Sequence, residues 1–154
     1  MGDGLLAIFP IAPDDSDIDD VCRRALAAAR AMRVNVDALN DTDGAGLGQP
    51  LRFGLALHVG EVLYGNIGGM GRLDFTCIGP AVNLVARLEK LAAQLGRCVI
   101  ASADFARQCR PEVEQLGAFS VAGFAAPQTA YGLRDEIGRA APPGQAPIKQ
   151  PRSA

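Results

Sequence analysis

The sequence predicts an α+β fold in which a mixed β-sheet is covered by helices. Helix-like segments alternate with short apolar runs that are typical of strands. Glycine-rich turns that join neighbouring strands as hairpins outnumber clean strand–helix–strand units, which argues against a Rossmann fold. The chain has 154 residues, of which 49% are hydrophobic, so it is long and apolar enough for one domain with its own core.

Composition and charge exclude several classes of protein. The chain has 15 Lys and Arg against 17 Asp and Glu, so no basic surplus indicates binding to nucleic acid or to an anionic membrane. No uninterrupted apolar run approaches the roughly 20 residues of a membrane helix. The start, Met-Gly-Asp-Gly, lacks the charged and apolar regions of a signal peptide. We therefore expect a cytoplasmic chain with no membrane segment and no nucleic-acid partner.

Side chains that favour zinc are sparse. The four cysteines contain no CxxC pair and the chain has one histidine, so no structural zinc site is expected. The cysteines are predicted to be free thiols. As the only histidine, His58 is a candidate general base. Its position in a predicted strand before Gly60 favours a packed side chain instead.

The first elements are predicted from apolar spacing and from turn residues. An apolar run at 5–9 follows a Gly-Asp-Gly turn and indicates a strand. A helix is predicted at 21–39, with Ser16 or Asp17 as its N-cap and acidic residues at its start. Residues 41–50, rich in Gly and Asp, predict a surface loop. The helix has apolar positions at helical spacing that are predicted to face the core: Val21, Ala25, Ala28 and Met32.

The rest of the domain is predicted to be richer in strands. Its elements are, in chain order, strands at 51–59, 62–67 and 73–78, a helix at 81–95, a strand at 99–101, a short helix at 103–109, and strands at 113–121 and 129–133. A hairpin tip is expected at 68–71, and Gly96 suits the position just beyond the C-cap of the longer helix. We place the domain at residues 1–135 and predict a disordered, Pro- and Ala-rich tail at 136–154.

The most specific pattern lies at 75–89, where an apolar strand runs into a Gly-Pro turn and a helix begins. Asn83 and Arg87 are four residues apart, so they project from one face of that helix. A guanidinium can hold a phosphate with a planar fork of donors, and an amide can hold a neighbouring oxygen. The alternative is a polar helix flank with a surface ion pair from Arg87 to Glu61 or Glu89. Beside this pair runs an apolar stripe that is predicted to face the core: Leu84, Leu88, Leu91 and Leu95.

This pattern resembles the signature of the class III adenylate and guanylate cyclases. The resemblance rests on 76–89, and residues 52–68 resemble the central hairpin of that family. Residues 1–9 resemble its metal-binding hairpin and 130–133 its last strand, so the match covers most of residues 1–135. The resemblance implies a ferredoxin-like sandwich of the nucleotidyl cyclase type. It also implies a head-to-tail homodimer, or a heterodimer with another cyclase domain, with active sites at the interface.

The resemblance assigns roles to four residues. Asp3 matches one of two aspartates that together hold two Mg²⁺ or Mn²⁺ ions against the triphosphate of ATP. Asn83 matches the asparagine that orients the ribose, and Arg87 matches the arginine that stabilises charge on the α-phosphate. Thr76 lies where many members carry an aspartate that reads adenine, and its hydroxyl can either accept or donate. The implied activity is conversion of ATP to cyclic AMP and pyrophosphate in intracellular signalling.

Part of the family pattern has no counterpart in this sequence. Three features of the family would precede Met1: the first metal-binding aspartate, the first strand with the helices after it, and the lysine that contacts adenine. We therefore expect an N-terminally truncated domain. Asp14, Asp15 and Asp17 are expected to form a solvated helix start and not a substitute metal site. We therefore expect this chain to be inactive alone. The alternative is a non-catalytic dimerisation or regulatory module that complements a metal-competent partner.

Overall fold

A four-stranded mixed sheet organises the fold. The computed structural model describes residues 4–42, 50–67 and 74–136. Its elements are, in chain order, α1 (Ile18–Asp41), β1 (Leu55–Leu57), β2 (Leu63–Ile67), β3 (Asp74–Ile78), α2 (Pro80–Gln94), β4 (Val99–Ser102), α3 (Ala103–Gln108), a 3₁₀ turn (Arg110–Glu112), β5 (Val113–Phe119), β6 (Gln128–Leu133) and a second 3₁₀ turn (Arg134–Glu136). The sheet order is β1-β4-β6-β5, with β1 parallel to β4 and the other neighbours antiparallel. Strands β2 and β3 form a separate antiparallel hairpin. The structure thus has the predicted α+β architecture.

The central strand β4 is buried along its whole length, and its alternating side chains enter two separate cores. Val99 and Ala101 belong to the core that the sheet forms with α1 and α3, which includes Phe105. Ile100 belongs to the core formed with α2, which includes Leu88. Helices therefore cover both faces of the sheet, and β4 is shared by the two cores.

Helix α2 has well-defined signals at both ends. Pro80 occupies its first turn, where the fixed φ suits a helix and the missing N–H has no intrahelical partner to lose. At the other end, the Gly96 N–H donates to the Ala93 carbonyl (3.3 Å) and the Arg97 N–H donates to the Ala92 carbonyl (2.9 Å). With φ of +64° at Gly96, these bonds form a Schellman motif. The predicted position of Gly96 is confirmed.

Helix α1 begins and ends slightly outside the predicted range of 21–39 and turns a different face to the core. The predicted apolar stripe is correct at Val21 and Ala25 but wrong at Ala28 and Met32, which are exposed. At 3.6 residues per turn, Ala28 lies just outside the buried arc, and Met32 lies beyond Ala29, the last buried residue of the helix. The residues that are buried are Val21, Cys22, Ala25, Leu26 and Ala29.

The predicted strand at 5–9 is not present in the structure. This segment has no β-partner among the described residues, and its apolar side chains are exposed, with Leu5 at 90%. A strand is held by a ladder of backbone hydrogen bonds to a neighbour, which an apolar run alone does not supply. The predicted strand at 51–59 is reduced for the same reason to β1, whose three residues are those that pair with β4.

Three predicted segments fall largely outside the described residues. They are the loop at 41–50, the hairpin tip at 68–71 and the tail at 136–154. None of the helices in the described part of the chain has the length and apolar character needed to cross a membrane.

The last described turn is fastened to the domain by charged side chains. The carboxylate of Glu136 is buried and accepts a hydrogen bond from the Val99 N–H at 3.2 Å. Arg33 on α1 donates to Asp135 at 2.7 Å, and Arg30 lies 3.7 Å from the same carboxylate. Burial raises the pKa of Glu136, against the opposing effect of nearby arginines. The turn therefore links α1 to the first residue of β4.

Replacing Leu88 by Ala tests the packing of α2. Leu88 is fully buried in the core beneath this helix, so the substitution removes apolar contacts and leaves a cavity. We expect the free energy of unfolding to fall by about 2–5 kcal/mol in urea titrations. The matched control is Lys90→Ala, an exposed position on the same helix, where we expect a change within about 0.5 kcal/mol. Equal effects of the two substitutions would contradict the assigned packing.

Candidate functional site

Helix α2 carries the two strongest candidate residues on its open side. Asn83 and Arg87 are both exposed, on the flank beside the leucine stripe, which is buried or partly buried against the sheet. The predicted core stripe is therefore confirmed, and the two polar side chains emerge one helical turn apart on a surface that the fold leaves open. The core fixes the helix, so the positions of both Cα atoms are set by packing of the neighbouring leucine face.

The expected alternative, a surface ion pair, is not found. No ion pair joins Arg87 to Glu61, Glu89 or any other acidic side chain in the described part of the chain. The guanidinium of Arg87 is thus available to an external anion without first breaking an internal contact.

The start of α2 is held close to the turn before β2. Gly79 has φ of +145°, a conformation that L side chains rarely adopt, and a Cβ there would lie 3.3 Å from the carbonyl oxygen of Glu61. A Cβ at Gly60 would lie 2.9 Å from the Cβ of Ala81, in the first turn of the helix. Glycine at both positions lets two backbone segments approach closely, and this approach sets where α2 begins relative to β1 and β2.

Thr76 and Asp3 are the other two residues that the resemblance singles out. Thr76 lies in β3, is half-buried and pairs in register with Gly65 of β2. Strand β3 leads through Gly79 directly into α2, so the hairpin and the helix that carries Asn83 and Arg87 are joined by one residue. Asp3 lies outside the described residues.

The described residues do not form a metal site. They contain no group of three or more His, Cys, Asp or Glu side chains placed to hold a metal ion. Asp17 is engaged locally, since its carboxylate accepts from the Ala12 N–H at 2.8 Å. Asp14 accepts from the Ser16 N–H at 3.2 Å, and hydrogen bonds from Ser16 lower the pKa of this exposed carboxyl. This geometry agrees with the expected solvated helix start.

His58 is a packed side chain, as its position predicted, and lies in a polar cluster that the sequence did not reveal. Its side chain is 8% exposed, and its Nδ1 lies 2.8 Å from the Ser102 hydroxyl and 3.8 Å from the Asp104 carboxylate. Burial lowers the pKa of His58, and the carboxylate of Asp104 opposes this in part. The imidazole is therefore neutral near pH 7.

One depression on the described surface does not coincide with these residues. It is an open hollow of about 460 Å³ against the C-terminal half of α1, and it is lined by Arg33, Val34, Asp37, Ala38, Asp41 and Asp135. Asn83 and Arg87 do not line this hollow and are exposed.

Comparison with known proteins identifies the class of this fold. The crystal structure of the adenylyl cyclase CyaB from P. aeruginosa matches with a TM-score of 0.63 and 24% identity, covering 79% of this chain and 63% of that one. The crystal structure of the guanylyl cyclase Cya2 matches with a TM-score of 0.60 and 28% identity, covering 75% of this chain and 58% of that one. The architecture is therefore that of a nucleotidyl cyclase catalytic domain.

Sequence relatives agree with this class. The chain is 36% identical over 100 residues to an adenylate cyclase of Anabaena cylindrica and 30% identical over 115 residues to adenylate cyclase 1 of Rhizobium meliloti. These matches cover 62% and 73% of this chain but only 18% and 16% of the relatives. No family model matches the chain. Together the fold and these relatives show that the chain belongs to the class III nucleotidyl cyclase domains.

The buried imidazole predicts a pH dependence of stability. Because the pKa of His58 in the folded chain lies below its ordinary value of 6.5, the unfolded chain takes up the proton first as the pH falls. The stabilisation by neutral His58 is fully present above pH 6.5 and is lost as the pH falls through the folded pKa. We expect the difference in unfolding free energy between the wild-type chain and His58→Asn to shrink from pH 8 to pH 5. Equilibrium unfolding in urea at both pH values measures it, and a constant difference would contradict the prediction.

Proposed function

We propose that this chain is a nucleotidyl cyclase module that acts on ATP to form cyclic AMP and pyrophosphate. The observation that supports this most directly is the exposed pair Asn83 and Arg87 on a helix whose adjoining leucine face packs into the core. An exposed guanidinium that forms no ion pair with the described residues suits a multiply charged phosphate ligand. The relatives named adenylate cyclase support the choice of ATP.

In the proposed reaction, the ribose 3′-oxygen forms a bond to the α-phosphorus. The bond from that phosphorus to the oxygen bridging to the β-phosphate breaks, pyrophosphate leaves, and the 3′-hydroxyl proton passes to solvent. Arg87 would donate to the α-phosphate oxygens as charge grows on them in the transition state, which mainly raises kcat. Asn83 would hold the ribose in line for attack. Thr76, next to the helix start, would contact the base.

The proposed metal requirement is only partly met by this chain. Two divalent cations would neutralise the triphosphate and make the 3′-hydroxyl a better nucleophile. The described residues hold no suitable ligand cluster, and Asp3 is the one ligand that the resemblance assigns here. We therefore propose that a second cyclase domain, in a homodimer or heterodimer, faces the open side of α2 and contributes the remaining metal ligands.

A second candidate function is that of a module without catalytic activity of its own. As the alternative to a catalytic chain, such a module would pair with a metal-competent cyclase domain. In that arrangement Asn83 and Arg87 would complete the partner's site, or the module would regulate the partner through dimerisation alone. The predicted cytoplasmic location suits either role and stays a prediction.

An assay of the purified chain with ATP and excess Mn²⁺ tests the proposal. We expect no cyclic AMP from the chain alone, because one carboxylate does not hold two cations close together. Mixed with a metal-competent cyclase domain that lacks its own transition-state arginine, the chain should restore product. Arg87→Ala should lower that rate by about 100-fold or more, the usual effect of removing a donor to developing charge.

The matched control is Lys90→Ala, which removes an exposed positive charge from the same helix. It should leave the restored rate unchanged within a factor of about 2. Turnover by the chain alone that disappears in Arg87→Ala would contradict the predicted inactivity. Binding to the partner without restored product would favour the regulatory module, and absence of both binding and product would overturn the proposal.

A further inference from the structure

The parallel pairing of β1 with β4 places His58 beside Ser102. Leu57, the last residue of β1, pairs with Ala101 in this register, so His58, which follows β1, lies beside Ser102, the last residue of β4. Their side chains meet at 2.8 Å between Nδ1 and Oγ. Both side chains are more than nine-tenths buried, at 8% and 4% exposure, so the contact is shielded from water.

Ser102 also starts the next helix. Its hydroxyl oxygen accepts a hydrogen bond from the Phe105 N–H at 3.2 Å and thereby caps α3. The same hydroxyl is hydrogen-bonded to Nδ1 of the neutral His58 ring, and the tautomer of the ring sets which of the two groups donates. The ring is thus held from one side by a residue that is itself fixed by the sheet and by α3.

The other side of the ring faces the start of α2. A Cβ at Gly60 would lie 2.7 Å from Nε2 of His58 and 2.9 Å from the Cβ of Ala81. The backbone at Gly60 is therefore packed tightly between the imidazole edge and the first turn of the helix. Asn83 follows two residues after Ala81, and its N–H donates to the Gly79 carbonyl at 3.2 Å.

We propose that His58 is a positioning residue for the candidate site. Its ring, tethered to Ser102, supports Gly60 and through it the first turn of α2, which presents Asn83 and, one turn further on, Arg87. This inference rests on the proposed function, because it deepens the account of the same site. His58 itself contacts neither nucleotide nor metal in this arrangement. It acts on the site only indirectly, by packing against Gly60.

Two substitutions distinguish the effect of the His58 ring from the effect of its hydrogen bond to Ser102. His58→Asn keeps a polar group near Ser102 but removes the ring edge that lies against Gly60. His58→Phe keeps a ring and removes the hydrogen bond to the Ser102 hydroxyl. If the ring edge supports α2, the first variant should loosen the start of this helix and the second should largely preserve it.

Amide hydrogen exchange measures this loosening without reference to activity. In His58→Asn we expect the Asn83 amide to exchange about tenfold faster relative to the Leu95 amide, a loss of roughly 1.4 kcal/mol in local stability. Leu95 donates to Leu91 at the far end of the same helix and so reports on general destabilisation. In His58→Phe the ratio of the two rates should stay close to that of the wild-type chain.

Gly60→Ala provides an independent test from the other side of the contact. The added methyl would lie too close to both His58 and Ala81, so it should raise the same exchange ratio. If neither His58→Asn nor Gly60→Ala changes the ratio while both lower the melting temperature, His58 is a structural residue only and the proposal is overturned.

The mixed-domain assay then connects the contact to catalysis. We expect His58→Asn to lower kcat of the restored reaction with little change in KM, since displaced Asn83 and Arg87 would act less well on the transition state. A changed exchange ratio with no product even from the wild-type mixture would overturn the proposed function and keep the packing role. If the wild-type mixture forms product but the exchange ratio is unchanged in the variants, the proposed function stands and the packing role of His58 is overturned.

Discussion

The complete burial of one short strand underlies the rest of the structure. The side chains of β4 alternate between two cores, so this strand fixes α1 and α3 on one face of the sheet and α2 on the other. It also pairs with β1 on one side and β6 on the other. Because both faces and both edges are occupied, the ends of β4 are fixed in space. The polar cluster at Ser102 and the buried amide of Val99 are placed by this constraint.

Much of the fold follows from local patterns in the sequence. Three features were predicted because each depends on residues close together in the chain. They are the leucine stripe of α2, the helix-end signals at Pro80 and Gly96, and the hairpin of β2 and β3. Two predicted strands were absent or shorter than expected because pairing with a distant segment decided their extent. The apolar run at 5–9 has a strand-like composition but no partner in the described chain, and β1 extends only as far as its partner does.

The candidate site was predictable to a similar degree. The spacing of Asn83 and Arg87 indicated a shared helix face, and the structure places both on the open side of α2. The spatial setting of His58 was not predictable, because its contacts come from residues more than 40 positions away or across a turn. Only the parallel register of β1 and β4 brings His58 beside Ser102. A lone histidine at the end of a short strand carries no sequence signal for such a partner.

The two sides of α2 meet different requirements. Its buried leucines contribute to folding, whereas Asn83 and Arg87 make no contact on which the core depends. A change at either polar position therefore leaves a folded domain with the same outer shape. During evolution, a single substitution at Asn83 or Arg87 can abolish catalytic activity in such a domain, and the domain can still be retained for its binding to a partner. A cyclase-like chain without turnover is for this reason an accessible end point for the fold and need not be a damaged one.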